Sequence, residues 1–486
     1  MTMTDFIALA PILALGTCCI VTMLVIAFRR NHATIAIFSG SSCLVTLATL
    51  PVAATVAPRA VTALLIVDGY ALFYMGLLLA ATTVVLALSH GYLRLHGTGH
   101  EEVEEFYLLM LLATLGGLVI VTAAHFASFF LGLELIGVSL YSLIGYLRTR
   151  RGPLEAALKY LILSSTASAF LLFGMALMYF HTGTMVFAEI GAGMTAESPF
   201  PAVWMTGFVF ILIGVGFKLG LVPLHLWIPD VYQGAPAPVT AYIATVSKGA
   251  VFALLLRFIG DIHALHSGRI NLALGLIAAA SMFAGNFLAL QQDNVKRLLA
   301  YSSIAHFGYL LVALLASGPL ATEAVTFYLV AYVVTTLGAF GVVTVLSTKA
   351  RDAESIEDYR GLVWSHPWLT ATFTVMLLSL VGIPVTAGFV GKFYAITAGM
   401  NAGLFWLVIL LVLNSAIGAY YYLRLLITFF HSTSEEGAES TRSSETLPEW
   451  GAIISLGLTA SLVLWLGLYP QPMIAFVKDM VVSRGQ

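Results

Sequence analysis

Charge is what this sequence has least of. Of its 486 residues only 9% are Asp, Glu, Lys or Arg, while 60% are hydrophobic. A soluble domain usually has about a quarter of its residues charged, so a soluble globular protein is excluded. The 22 basic and 24 acidic residues give a net charge of -2, and no basic field offers itself to nucleic acid. Cysteine is nearly absent too. The three present, Cys18, Cys19 and Cys43, fall in the first two apolar runs. They have no C-x-x-C or Cys/His spacing, which argues against a metal or iron–sulfur site and leaves them as small apolar filler. There is no P-loop. Gly214-Val215-Gly216 lies inside an apolar run with no strand before it, so it is not read as a dinucleotide loop. No segment is long and polar enough to make a separate soluble domain.

What the chain does have is apolar runs of membrane length. A helix needs about 20 apolar residues to cross roughly 30 Å of hydrocarbon. Fourteen spans are expected: 5–27, 32–55, 70–93, 104–122, 125–147, 154–181, 203–222, 237–260, 270–290, 294–316, 322–347, 367–400, 403–430 and 449–469. The first run lacks a basic leader and is followed by Arg29-Arg30, so it is read as a helix rather than a cleaved signal. The odd-numbered loops hold twelve basic residues, among them Arg29, Arg30, Arg94, Arg148, Arg150, Lys296, Arg297, Lys349 and Arg442. The even-numbered loops hold only Arg59 and Arg269, with Arg257 at a helix end. Basic loops stay inside, so both termini are expected in the periplasm. The polar stretch Ser432–Glu449 is the one loop of disorder-like composition.

Against this background a few ionisable residues lie deep in spans: Glu134 in the fifth, Lys218 in the seventh, Lys248 in the eighth, His306 in the tenth and Lys392 in the twelfth. Each charge at the bilayer centre costs at least about 2.5–3.5 kcal/mol, so the default reading of such residues is an ion or substrate path. The plain alternatives are a satisfied core histidine for His306, an interfacial residue for His225, and a helix-end pair of Lys159 with Glu155. Lysine suits proton transfer because burial brings its release, near pH 10 in water, closer to neutrality. Glu134 and Lys218 form the natural carboxylate–lysine pair.

Two spans are interrupted beside a lysine. One reads Gly214 to Pro223 around Lys218, the other Gly382-Ile383-Pro384 through Gly391-Lys392. Glycine and proline breaks survive in a bilayer only where protein or water satisfies the freed backbone. Paired breaks at matching places in two halves point to a transporter site. The seventh and twelfth spans are five apart, an odd offset, so spans 4–8 and 9–13 are expected to be inverted repeats. The organisation is then residues 1–103, a first repeat 104–260, a second repeat 270–430 and a last helix 449–469.

Several stretches carry a resemblance. Gly216-Phe217-Lys218, Pro223-Leu224-His225-Leu226-Trp227 and the run Pro229-Asp230-Val231-Tyr232-Gln233-Gly234-Ala235-Pro236-Ala237-Pro238-Val239 resemble the antiporter-like subunits of respiratory complex I, the proton-pumping NADH:quinone oxidoreductase. Leu131–Leu135, Ser247-Lys248, Asn294–His306 and Gly391-Lys392-Phe393-Tyr394 fit the same family, essentially end to end. The Val-Tyr-Gln-Gly-Ala-Pro wording, the lysine of span 12 and the short tail resemble its N-type, the counterpart of mitochondrial subunit 2. One departure is Glu134–Tyr141, where relatives often carry a serine nearer the glutamate.

The resemblance implies an all-α membrane protein. It implies a proton relay of Glu134, Lys218, Lys248, His306 and Lys392, with Glu134 modulating Lys218 and His225 auxiliary. It implies a translocase subunit in a bacterial inner membrane with no cofactor of its own, flavin and iron–sulfur clusters lying in partner subunits. The partners implied are neighbouring antiporter-like and small membrane subunits, with lipid around them. The rival readings are a subunit of a multisubunit cation/proton antiporter, of a membrane-bound hydrogenase, or a scaffold whose charges only hold helices together.

Overall fold

A computed structural model describes residues 1–96, 103–192, 201–431 and 449–484. Among the described residues, thirteen helices are long and apolar enough to cross a membrane. In chain order they are α1 (Ala10–Phe28), α2 (His32–Ala54), α3 (Gly69–His96), α4 (Glu104–Val121), α5 (Phe126–Ile144), α6 (Arg151–Thr182), α7 (Ala202–Leu219), α8 (Ala237–Asp261), α9 (Gly268–Leu290), α10 (Val295–Leu315), α11 (Gly318–Leu346), α13 (Phe405–Thr428) and α14 (Trp450–Leu468). The expected twelfth span is two half-helices, α12a (Pro367–Val381) and α12b (Ala387–Asn401). With that pair the fourteen expected positions are all helical. The expected first span is divided, a short helix Met3–Ala8 preceding α1. The polar stretch 432–448, with Arg442, lies outside the described residues.

Burial sorts the helices into a centre and a rim. The apolar windows of α8 and α10 are 100% buried and that of α11 is 89% buried, against 28% for α1 and α2. A helix apolar all round belongs in an interior. Lys248 and His306 therefore ride on the two helices most enclosed by protein. Neighbouring helices meet through glycine. A Cβ at Gly116 would stand 2.8 Å from the carbonyl of Gly132, joining α4 to α5. One at Gly174 would stand 2.5 Å from that of Gly207, joining α6 to α7. In α9, a Cβ at Gly285 would meet the amide of Ala305 in α10 at 2.6 Å. Small residues let backbones approach where no hydrophobic force separates helix from lipid.

Both breaks are closed the same way. Gly220 (φ 73°) ends α7 and Gly382 (φ 88°) ends α12a, each in the left-handed region that glycine tolerates. Leu221 donates to Gly216 and Gly220 to Phe217; Ile383 donates to Leu378 and Gly382 to Ser379. These are paired Schellman bonds, and they satisfy carbonyls that lipid could not. After the first break a short helix, Trp227–Gly234, leads into α8. Within α8 the turn Ile243–Ser247 is a π-helix, immediately before Lys248.

Contacts among loops separate two ends of the bundle. Arg150 donates to the Lys349 carbonyl, Asn294 to Glu354, and Arg94 to Glu449, which gathers odd-numbered loops at one end. Arg59 bonds Asp5, and the loop after α4 pairs with the hairpin before α3, which puts the N-terminus with even-numbered loops at the other. That hairpin, Arg59–Val61 with Leu65–Val67, has no signal in the apolar pattern of the sequence.

Candidate functional site

The six expected residues are spread over five helices and the first break. Lys218, Lys248, His225, His306 and Lys392 are buried, whereas Glu134 is half-buried on α5. Glu134 and Lys218 do not touch as an ion pair. Instead Ser168 donates to Glu134 Oε1 at 2.5 Å, and Lys218 Nζ donates to Ser164 Oγ at 2.7 Å. The two serines are one turn apart on α6, so the carboxylate and the ammonium hang on successive rungs of one hydroxyl ladder. Tyr141 also donates to Ser164, at 3.0 Å. The ammonium fits against α5 because residue 137 is glycine: a Cβ there would stand 3.2 Å from Lys218 Nζ.

Lys248 repeats this construction. Its Nζ donates to Ser303 Oγ at 2.7 Å, and Tyr332 donates to the same oxygen at 2.9 Å. Ser303 and His306 are three apart on α10 and so share a face. His306 Nδ1 meets the Tyr328 hydroxyl at 3.0 Å and its Nε2 meets that of Tyr422 at 3.5 Å. Tyr422 in turn bonds Ser302. Both imidazole nitrogens thus have phenol partners, which allows a neutral ring to hold a proton on either side.

Lys392 is held differently. Its Nζ donates to the carbonyls of Leu380 at 2.9 Å and Val381 at 2.7 Å, and to Ser415 Oγ at 2.8 Å. It therefore caps the last turn of α12a, where free carbonyls and the helix dipole both favour a cation. Each lysine also lies over aromatic faces: Lys218 5.5 Å from Tyr160, Lys248 4.9 Å from Phe307, Lys392 5.3 Å from Tyr309. At such distances the ring quadrupole offsets part of the lost hydration.

These residues do not form one unbroken hydrogen-bonded line. Tyr160 and Trp227, with ring centroids 4.9 Å apart, stand in the Lys218 region, and no protein hydrogen bond joins Lys218 to Lys248 among the described residues. His225 is buried with its Nδ1 unpartnered by protein among the described residues, and no hydrogen bond of its side chain links it to the lysines. Lys159 pairs with Glu155 as the sequence suggests, and also reaches Asp230 of the short helix, both at 2.8 Å.

Two ion pairs go beyond the sequence expectations. Lys296 and Arg257, read as a loop and a helix-end charge, are buried. Arg257 makes a double bond-pair with Asp68, at 2.7 and 3.0 Å. Lys296 bonds Asp352 at 2.6 Å and the Ala235 carbonyl at 2.7 Å. Burial alone would raise the Asp352 carboxyl, but Lys296 and the Tyr92 hydroxyl hold it below the usual carboxylate range. Asp352, Asp230, Lys159 and Arg150 line a polar cavity of about 420 Å³ at the end where the odd-numbered loops meet. The serines are a further addition: a serine in an apolar helix has no pattern that separates it from filler.

Residues 123–418 match the family described as NADH:quinone oxidoreductase/Mrp antiporter, transmembrane region. The chain is 50% identical to NADH-quinone oxidoreductase subunit N of Ectopseudomonas mendocina (strain ymp), over 98% of this chain and 97% of that protein. It is similar to a chain of respiratory complex I from Thermus thermophilus with bound aureothin, with 32% identity, a TM-score of 0.79, and coverage of 96% and 98%. A chain of the Mrp complex from Dietzia sp. DQ12-45-1b shares the fold, with TM-score 0.85 at 18% identity, over 99% and 97% of the two chains.

Proposed function

The chain belongs to the NADH:quinone oxidoreductase/Mrp antiporter family, and we propose that it works as the N-type membrane subunit of a respiratory NADH:quinone oxidoreductase. It is a multi-pass membrane protein whose partners are the other subunits of that complex. In this reading, electrons pass from NADH to quinone in partner subunits that carry flavin and iron–sulfur clusters, and this chain moves protons. The membrane is the bacterial inner membrane, with both termini in the periplasm. The near-full-length identity to a subunit N favours this over a cation/proton antiporter or hydrogenase partner.

The observation that carries the proton reading is the repeated lysine–serine–tyrosine site. Lys218 and Lys248 each donate to a serine that a tyrosine also reaches. A serine hydroxyl can accept from an ammonium or donate to an amine, so such a site serves lysine in either protonation state. Protons then step among Glu134, Lys218, Lys248, His306 and Lys392, with internal water between Lys218 and Lys248 and beyond His306. His225, by the first break, is auxiliary. The matching Schellman ends of α7 and α12a, five spans apart, support an inverted repeat of 104–260 with 270–430.

Lys218→Arg tests the relay in the intact complex. Arginine keeps the charge but does not deprotonate in proteins. NADH-driven pumping falls in the variant if Lys218 cycles its proton. Undiminished pumping removes Lys218 from the relay.

A further inference from the structure

Lys392 sits in a cradle unlike those of the other two lysines. A primary ammonium has three N–H bonds, and here three acceptors meet it: the Leu380 and Val381 carbonyls and Ser415 Oγ, at 2.7–2.9 Å. Ser415 itself donates to the Val381 carbonyl at 3.3 Å, which leaves its lone pairs for the cation. The carbonyls belong to the last turn of a half-helix, whose dipole end is negative. Gly382 leaves room for the side chain: a Cβ there would stand 2.9 Å from Lys392 Cδ. In broken-helix transporters, unwound carbonyls and half-helix C-termini hold free monovalent cations.

We propose that the end of α12a is a built site for a small monovalent cation of the ammonium class, and that Lys392 is its tethered occupant. The tether makes this a proton station: the cation cannot leave, so only its proton can. The inference rests on Lys392 being a relay station and adds what the site itself recognises. A largely apolar pocket of about 270 Å³, lined by Phe389, Phe393, Leu411 and Ser415 together with Lys392 itself, adjoins the site.

Chemical rescue of the intact, detergent-solubilised complex tests this, with NADH:quinone reductase turnover as the readout. Without a sealed membrane, added amines cannot act as uncouplers. Lys392→Ala lowers turnover by at least about fivefold and empties the cradle. Ammonium or methylammonium at tens of millimolar, on the order of a weak site, restores turnover at least threefold. Tetramethylammonium, which has no N–H, does not. Lys392→Met, which fills the space with an apolar chain, is not rescued, and neither is Lys392→Ala combined with Ser415→Ala.

Loss of turnover in assembled Lys392→Ala with no amine rescue overturns the cation site and leaves the relay standing. Full turnover in Lys392→Ala overturns both. Should Lys392→Ala not assemble, Ser415→Val on the natural lysine decides the matter: turnover falls at least threefold and Ser415→Thr retains it, whereas equal turnover in both overturns the cradle.

Discussion

At the scale of single residues, the charges of Glu134, Lys218, Lys248 and Lys392 are met by hydroxyls and carbonyls, whereas Arg257 and Lys296 are met by the carboxylates of Asp68 and Asp352. Glu134 and Lys218 are separated onto Ser168 and Ser164, one turn apart. A hydrogen bond to a charged group is worth about 1.5–3 kcal/mol. Ser168→Ala therefore slows NADH-driven pumping by roughly tenfold on that scale, while Ser168→Thr, which keeps the hydroxyl, stays near the parent rate; proton uptake into proteoliposomes measures both. The ionisable residues were legible in the sequence because a lysine inside an apolar run has no bland explanation. Their partners were not, since Ser164, Ser303 and Tyr332 look like ordinary members of membrane helices. Asp352 and Lys296 were illegible for the opposite reason: a loop charge is expected to be solvated, yet here the pair is buried. Because Lys296 depresses the Asp352 carboxyl, that pair stabilises the fold above the ordinary carboxylate range, about pH 4, and the contribution fades as pH falls through the lower folded value. Asp352→Ala leaves Lys296 buried without its carboxylate, with only the Ala235 carbonyl to accept from it, a loss of about 3–5 kcal/mol. Thermal denaturation of the purified complex, scanned downward from pH 6, shows both the lower melting point and a flatter acid limb in the variant.

At the scale of elements, the fourteen span positions follow from apolar runs near the length of the bilayer, and both breaks follow from glycine and proline beside a lysine. The hairpin Arg59–Val67, the π-turn before Lys248 and the helix Gln471–Arg484 do not follow from such runs. Three-residue strands are too short for a period to register, and the π-turn depends on packing in the centre rather than on any residue pattern. The two Schellman glycines give a comparison. Both need positive φ, which costs a non-glycine residue about 1–2 kcal/mol. At Gly382 the added methyl meets the flexible stem of Lys392, at 2.9 Å; at Gly220 it overlaps Ile228 Cδ1, at 1.7 Å. Gly220→Ala is expected to reduce the amount of assembled complex more than Gly382→Ala, read by native gel of solubilised membranes. Equal assembly would mean that Ile228 is free to move.

At the scale of the whole molecule, the contacts among loops divide the chain into two sides, and the proposed orientation puts the basic loops in the cytoplasm. A cysteine placed at Thr62 is expected to react with a membrane-impermeant maleimide from the periplasm, and one at Lys349 only after the membrane is opened; the reverse pattern would invert the orientation. The most enclosed helices, α8 and α10, are those that carry Lys248 and His306. Lys248 on α8, wholly buried, bonds Ser303 on α10, which ties the proposed first repeat to the second. The most direct measurement is the ratio of protons pumped to NADH oxidised in the assembled complex carrying Lys248→Met. A positioned proton-transfer group contributes about 10²–10⁴-fold to its step, so the account predicts that this chain's share of pumping disappears. An assembled variant with the full parental ratio would contradict the relay and leave Lys248 a helix-packing residue.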